Sequence, residues 1–119
     1  MKKTVILGAT DNPYRFAYKA AHSLLRHGHP IALVGIKKGS VAGQPILNGR
    51  PDVGEVDTVT LYVGPQNQTE WYDYIINLKP KRIIFNPGTE NEVLEARAKQ
   101  NGIQTIEGCT LVMLNAGMY

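Results

Sequence analysis

Short β-branched apolar runs alternate along this chain with segments of helical periodicity, and that alternation limits the fold more than any other feature. Thr4–Leu7, Ile31–Ile36, Thr58–Val63, Arg82–Phe85 and Gln104–Ile106 read as strands. Ala17, Ala20, Ala21, Leu24 and Leu25 fall on one helical face between the first two. Asn67 with Glu70 has capping-box spacing before Trp71, Ile75 and Leu78, and Pro80 closes that segment. Thr89 with Glu92 repeats the pattern before Val93, Leu94 and Ala98. Thr110–Ala116 reads as a short final helix. Parallel strands need crossovers, so this order predicts an α/β, Rossmann-like domain of three layers with a five-stranded, mainly parallel sheet. Lys37–Asp52 is rich in Gly, Pro and Ser, and a loop is expected where a helix would otherwise link the second and third strands, with a short extended piece around Pro45-Ile46-Leu47.

At 119 residues the chain makes one domain, residues 1–119. Hydrophobic residues are 43% and charged residues 19%, as in soluble globular proteins. The single cysteine, Cys109, excludes an internal disulfide framework, and neither Cys nor His has metal-site spacing. His22, His27 and His29 crowd one helix end. The net charge of +3 is scattered rather than gathered in a basic arm, so no nucleic-acid partner is expected. No run reaches the ~18 apolar residues of a membrane span, and no signal peptide is visible, so a cytoplasmic location is expected.

Ligands of such sheets bind beyond the carboxyl ends of the strands. That rule nominates Gly8–Arg15, Gly35–Lys38, Val63–Pro65, Asn86–Asn91 and Gly108–Cys109. The first is the most telling. A strand enters Gly8-Ala9-Thr10, then Asn12 and Pro13 are expected to cap and start a helix, with Arg15 in its first turn. Free helix N–H groups, the positive dipole end and a cation together suit a phosphate. A cation at that end is unfavourable to the helix itself, which makes an arriving anion the simpler explanation of Arg15. G-x-G-x-x-G is absent, since Thr10 stands at the second glycine, and no Gly-Lys-Ser/Thr follows. The second strand ends in Gly35-Ile36-Lys37-Lys38 instead of an acid, which disfavours NAD and suits a ribose phosphate, as in NADP or coenzyme A (CoA).

Gly8-Ala9-Thr10-x-Asn12-Pro13-x-Arg15 resembles the opening motif of the small CoA-binding proteins, whose domain is similar to the CoA-binding domain of the succinyl-CoA synthetase alpha subunit. Gly28, Gly43, Val56-Asp57-Thr58-Val59, Pro65, Gly88-x-x-Asn91-Glu92 and Cys109 follow in matching order. Two places depart from the pattern: Val34-Gly35-Ile36 replaces Val-Asn-Pro, and Asn86-Pro87 stands where a Gln is usual. The resemblance implies a module that binds CoA or an acyl-CoA through its ADP portion, without catalysis of its own. It implies that Gly8, Ala9, Thr10 and Asn12 adjoin the pyrophosphate and that Arg15 pairs with it. Gly35 with Lys37 or Lys38 would meet the ribose phosphate. Val63, Gly64 and Pro65 would border the adenine, and Asn86, Gly88 and Asn91 would line the path of the pantetheine arm. A small NADP-dependent oxidoreductase and a nucleotide-sensing protein are the alternatives, although no catalytic set is readable. Cys109 has no partner for a nucleophilic role in sequence, and buried small residue is its simpler reading. Trp71, Tyr72 and Tyr74 suit either core or a dimer face, so a homo-oligomer stays open.

Overall fold

The computed structural model describes residues 1–119. Five parallel strands form the sheet: β1 (Thr4–Leu7), β2 (Ile31–Val34), β5 (Thr58–Leu61), β6 (Arg82–Phe85) and β7 (Gln104–Glu107), in spatial order β2-β1-β5-β6-β7. The first four are buried at every position, which explains their apolar or Thr-rich character, with Arg82 at the start of β6 as the one charged residue among them. Alternate residues feed two cores. Val5, Leu7, Val59, Leu61, Ile83 and Phe85 face the side covered by α2 (Tyr72–Asn77) and α3 (Glu92–Gln100). Ile6, Ile31 and Leu33 face the side covered by α1 (Phe16–Arg26) and α4 (Thr110–Asn115). β7 is the polar, half-exposed edge.

From β2 the chain crosses back over β1 to enter β5. This connection holds a two-residue hairpin, β3 (Ser40–Val41) with β4 (Gln44–Pro45), and Leu47 bridges to Val34 along the outer edge of β2. The chain therefore winds one way from β1 to β2 and the other way from β5 onward. The loops that follow β1 and β5 border a crevice at that reversal.

Three helix starts differ from the sequence expectation, each because a presumed cap has another partner. Asn12 does not cap α1. Its carbonyl accepts from Arg15 N (3.1 Å) and its Oδ1 from Tyr14 N (3.0 Å), so Asn12-Pro13-Tyr14-Arg15 is a turn with proline at its second position, and α1 begins at Phe16. Asn67 and Glu70 form no capping box. Gln68 is fully buried, its Nε2 donating to Val63 O (2.8 Å) and Thr89 O (2.7 Å), and this inward pull tightens Pro65–Asn67 and Thr69–Trp71 into 3-10 turns. Thr89 does not pair with Glu92 either: its hydroxyl donates to Asn86 O (2.8 Å), and Asn91 caps α3, its Oδ1 accepting from Val93 N (3.0 Å) and Leu94 N (3.2 Å). Leu94 and Ala98 pack inward as expected, but Val93 faces out. The strands β2, β5 and β7 also differ by one or two residues from their expected ends, whereas β6 matches.

At the opposite end of the sheet the half-buried Tyr119 ring lies against the Arg82 guanidinium (4.3 Å to the ring centroid), and its hydroxyl pairs with Thr4 Oγ1 at 2.5 Å. Arg82 Nε donates to Thr58 Oγ1 (2.8 Å). No helix is long and apolar enough to cross a membrane.

Candidate functional site

The crevice at the reversal opens into a cleft of about 590 Å³, within the ~300–1,000 Å³ usual for small-molecule sites. Gly8 makes its floor. It has a φ of +95°, and a Cβ there would stand 2.8 Å from Tyr62 O and 2.9 Å from Val63 Cγ2. Only glycine lets β1 turn away this close to the β5 backbone. Gly35 has a second close approach, since a Cβ would lie 3.2 Å from Ala9 N. Asn48 fixes the Gly35–Lys37 loop, its Nδ2 donating to Gly35 O (2.6 Å) and Lys37 O (2.9 Å).

The amides divide unevenly. Gly8 N and Ala9 N both donate to Val34 O, at 2.9 and 3.2 Å, so neither is free for a ligand, and Ala9 contributes packing alone. Thr10 N has no partner within the protein, nor have the N–H groups of Phe16, Ala17 and Tyr18 in the first turn of α1. No side chain caps that helix and no acid lies in its first turn. Arg15 occupies the capping position, exposed and without an ion pair, and stands in the cleft wall with Lys37. The unpaired amides of Thr10, Phe16 and Ala17, a dipole end and two cations therefore lie on one side of the cleft, an arrangement that binds anions.

The remaining wall is different in kind. Tyr62, Val63, Gly64, Asn67, Glu70 and Trp71 line it, with no cation among them. The Tyr62 hydroxyl is buried and meets no hydrogen-bond geometry, although the Thr110 and Thr60 hydroxyls lie close enough to ease its burial; desolvation still pushes the phenol up to about 12, so it stays neutral. Trp71 is buried under the Arg50 guanidinium, 3.8 Å from its ring centroid, with Tyr74 edge-on at 5.8 Å.

Of the expected site residues, the cleft brings together Gly8, Ala9, Thr10, Asn12, Arg15, Gly35, Lys37, Val63 and Gly64. Lys38 and Pro65 are exposed and lie outside its lining. Asn86, Gly88 and Asn91 lie outside it too, with polar groups bonded within the protein. Asn86 is buried with both ends of its amide bonded, Nδ2 to Thr60 Oγ1 (2.6 Å) and Leu61 O (2.9 Å), Oδ1 to Thr110 N (2.9 Å). Gly88 N donates to Glu90 Oε1 (2.9 Å). Asn91 caps α3 and donates to Gln68 Oε1 (3.0 Å) and the Tyr72 hydroxyl (2.8 Å). Cys109 is half-buried at the start of α4. No three His, Cys, Asp or Glu side chains stand together as metal ligands do.

Sequence reasoning missed Phe16, Ala17, Tyr62, Asn67, Glu70 and Trp71, and it gave no role to Ile36 within the nominated Gly35–Lys38 segment. Ile36 directly after Gly35, and Phe16 off the buried face of α1, carried a readable signal: both are large, apolar and largely exposed, at 78% and 66%. The wall at Asn67–Trp71 depends on the 3-10 turns and had none.

The model of the CoA binding domain matches residues 2–115. The chain belongs to the CoA binding domain family. Membership supports CoA as its general class of ligand. A solved structure described only as an uncharacterized protein is 60% identical to this CoA binding domain, with a TM-score of 0.98 over 100% of this chain and 98% of that one. A hypothetical protein from Pyrococcus horikoshii OT3 is 23% identical, with a TM-score of 0.87 over 98% of this chain and 83% of its own. A dinucleotide-forming acetyl-coenzyme A synthetase from Ca. Korarchaeum cryptofilum, in complex with phosphate and ADP, is 18% identical with a TM-score of 0.68; the match covers 90% of this chain but 25% of the synthetase. At these identities the last two show the fold alone. No curated protein matches the chain.

Proposed function

We propose that this domain binds CoA or an acyl-CoA through the ADP portion, as a binding module without catalysis of its own. The observation that carries the reading is the uncapped first turn of α1, open to the cleft beside Arg15. The diphosphate sits against Thr10 N and the amides of Phe16 and Ala17, with the Arg15 guanidinium on its oxygens. The adenosine lies toward Gly35–Lys37, where Ile36 and Phe16 offer apolar faces and Lys37 meets the ribose phosphate. Val63 and Gly64 then flank the diphosphate from the β5 side.

Ligand-induced thermal stabilisation tests this. At a concentration ~100 times Kd, binding adds about 2.7 kcal/mol to stability. CoA should raise Tm most, dephospho-CoA less, and NAD and ATP least. A rise with NADP and none with CoA would replace this reading with the oxidoreductase one.

A further inference from the structure

The cleft is positively charged on one side only. Arg15, Lys37 and the open helix end serve the anionic half of a ligand, while the wall from Val63 to Trp71 has a single ionised group, the carboxylate of Glu70. A carboxylate beside a phosphate site weakens phosphate binding unless it meets something else. Glu70 is exposed, in the first turn of the 3-10 segment Thr69–Trp71, and its side chain makes no hydrogen bond and no ion pair, so its carboxylate is free to meet a ligand. Arg50 donates to the Glu70 carbonyl (2.8 Å), not to the carboxylate, and by stacking on Trp71 it fixes the backbone that carries Glu70. An ionised carboxylate accepts hydrogen bonds and donates none, so it matches a neutral ligand segment rich in N–H or O–H donors.

Toward the β6–α3 loop the side-chain amides of Gln68, Asn86 and Asn91 are already bonded within the protein, which leaves them no role in meeting a ligand. With the adenosine side assigned to Gly35–Lys37, whatever extends from the diphosphate runs along Val63, Asn67, Glu70 and Trp71. We propose that Glu70 recognises the neutral amide arm of the ligand, accepting an amide N–H or the arm's hydroxyl, and so selects a nucleotide that carries such an arm over a bare nucleotide. The assignment rests on the reading in the preceding subsection. Val63 supplies apolar surface along which an arm of alternating methylenes and amides packs.

Calorimetric titration of the wild type, Glu70→Ala and Glu70→Gln with CoA and with ADP tests it. Glu70→Ala should bind CoA about tenfold more weakly, the scale of one lost hydrogen bond to a charged group. It should bind ADP as well as the wild type or better, because a negative charge has gone from beside the diphosphate. Glu70→Gln keeps a carbonyl acceptor and should fall between for CoA. An equal loss for ADP and CoA overturns the proposal and assigns Glu70 to the adenosine. A gain for both ligands also overturns it, leaving Glu70 as a repelling charge. Wild-type protein that binds neither ligand removes the CoA reading itself, and this inference with it.

Discussion

The first turns of α1 and α3 begin beyond neighbouring parts of the same sheet edge, yet they are finished in opposite ways. At α3 the chain closes its own helix. Asn91 Oδ1 takes two first-turn amides, and Glu92 and Glu95 oppose the positive dipole end. At α1 nothing is closed: an arginine holds the capping position, no acid follows, and the amides face a cleft. A cap of the α3 type contributes about 1 kcal/mol to stability. The α1 end forgoes that contribution and adds a like charge to a positive pole. Helices with the same need for acceptors thus separate into one that supports the fold and one left for an incoming anion.

Making α1 resemble α3 should have the largest effect. Position 15 has the extended backbone of a capping residue (φ −93°, ψ 148°), so Arg15→Asp can accept from the first-turn amides without rearrangement. The free protein should gain about 1 kcal/mol, or roughly 4 °C in Tm. CoA affinity should fall by ~100-fold or more, about 3 kcal/mol, from loss of the guanidinium and repulsion by the carboxylate. Denaturation and titration of the same variant measure both. Unchanged CoA affinity in a stabilised variant would show that the open turn is not the phosphate site.

The reverse change at α3 should move stability and leave the ligand alone. Asn91→Ala loses the cap and the bonds to Gln68 Oε1 and the Tyr72 hydroxyl, and should cost about 2 kcal/mol in chemical denaturation. Its CoA affinity should stay within about twofold of wild type. A folded Asn91→Ala protein with tenfold weaker binding would return the β6–α3 loop to the site and break the contrast between the two helix ends.

The same two helices show where sequence reading succeeds and where it stops. The sheet was legible because its central strands are buried on both faces, so burial dictates residue type at every position of β1, β2, β5 and β6. The crevice was legible because Gly8 marks a backbone approach that no other residue allows, Gly35 a second tight one, and because Arg15 is unfavourable to its own helix. Cap assignments failed. Asn, Thr and Gln bond equally well to turns, carbonyls and helix amides, and tertiary contacts decided among these for Asn12, Gln68 and Thr89. Asn86 and Asn91 carry the same ambiguity: an amide able to line a ligand path is equally able to satisfy buried backbone. Glu70 and Trp71 came into the cleft through two 3-10 turns produced by burial of Gln68, a long-range event with no local signature.

The smallest expected effect concerns two adjacent lysines that the sequence treats alike. Lys37 stands in the cleft wall, its carbonyl held by Asn48, while Lys38 does not line the cleft. Both are exposed, so screening limits what either charge contributes. Lys37→Ala should reduce the preference for CoA over dephospho-CoA by about fivefold, roughly 1 kcal/mol, and should leave dephospho-CoA affinity nearly unchanged. Lys38→Ala should leave both affinities within about twofold. The ratio of the two ligands' Kd values is the informative quantity, because a general loss of positive charge weakens both together, whereas loss of a contact to the ribose phosphate weakens only the ligand that carries it. If Lys38→Ala lowers the ratio and Lys37→Ala does not, the loop turns its other face to the ligand, and the adenosine must lie nearer the β3–β4 hairpin than the open turn of α1 allows.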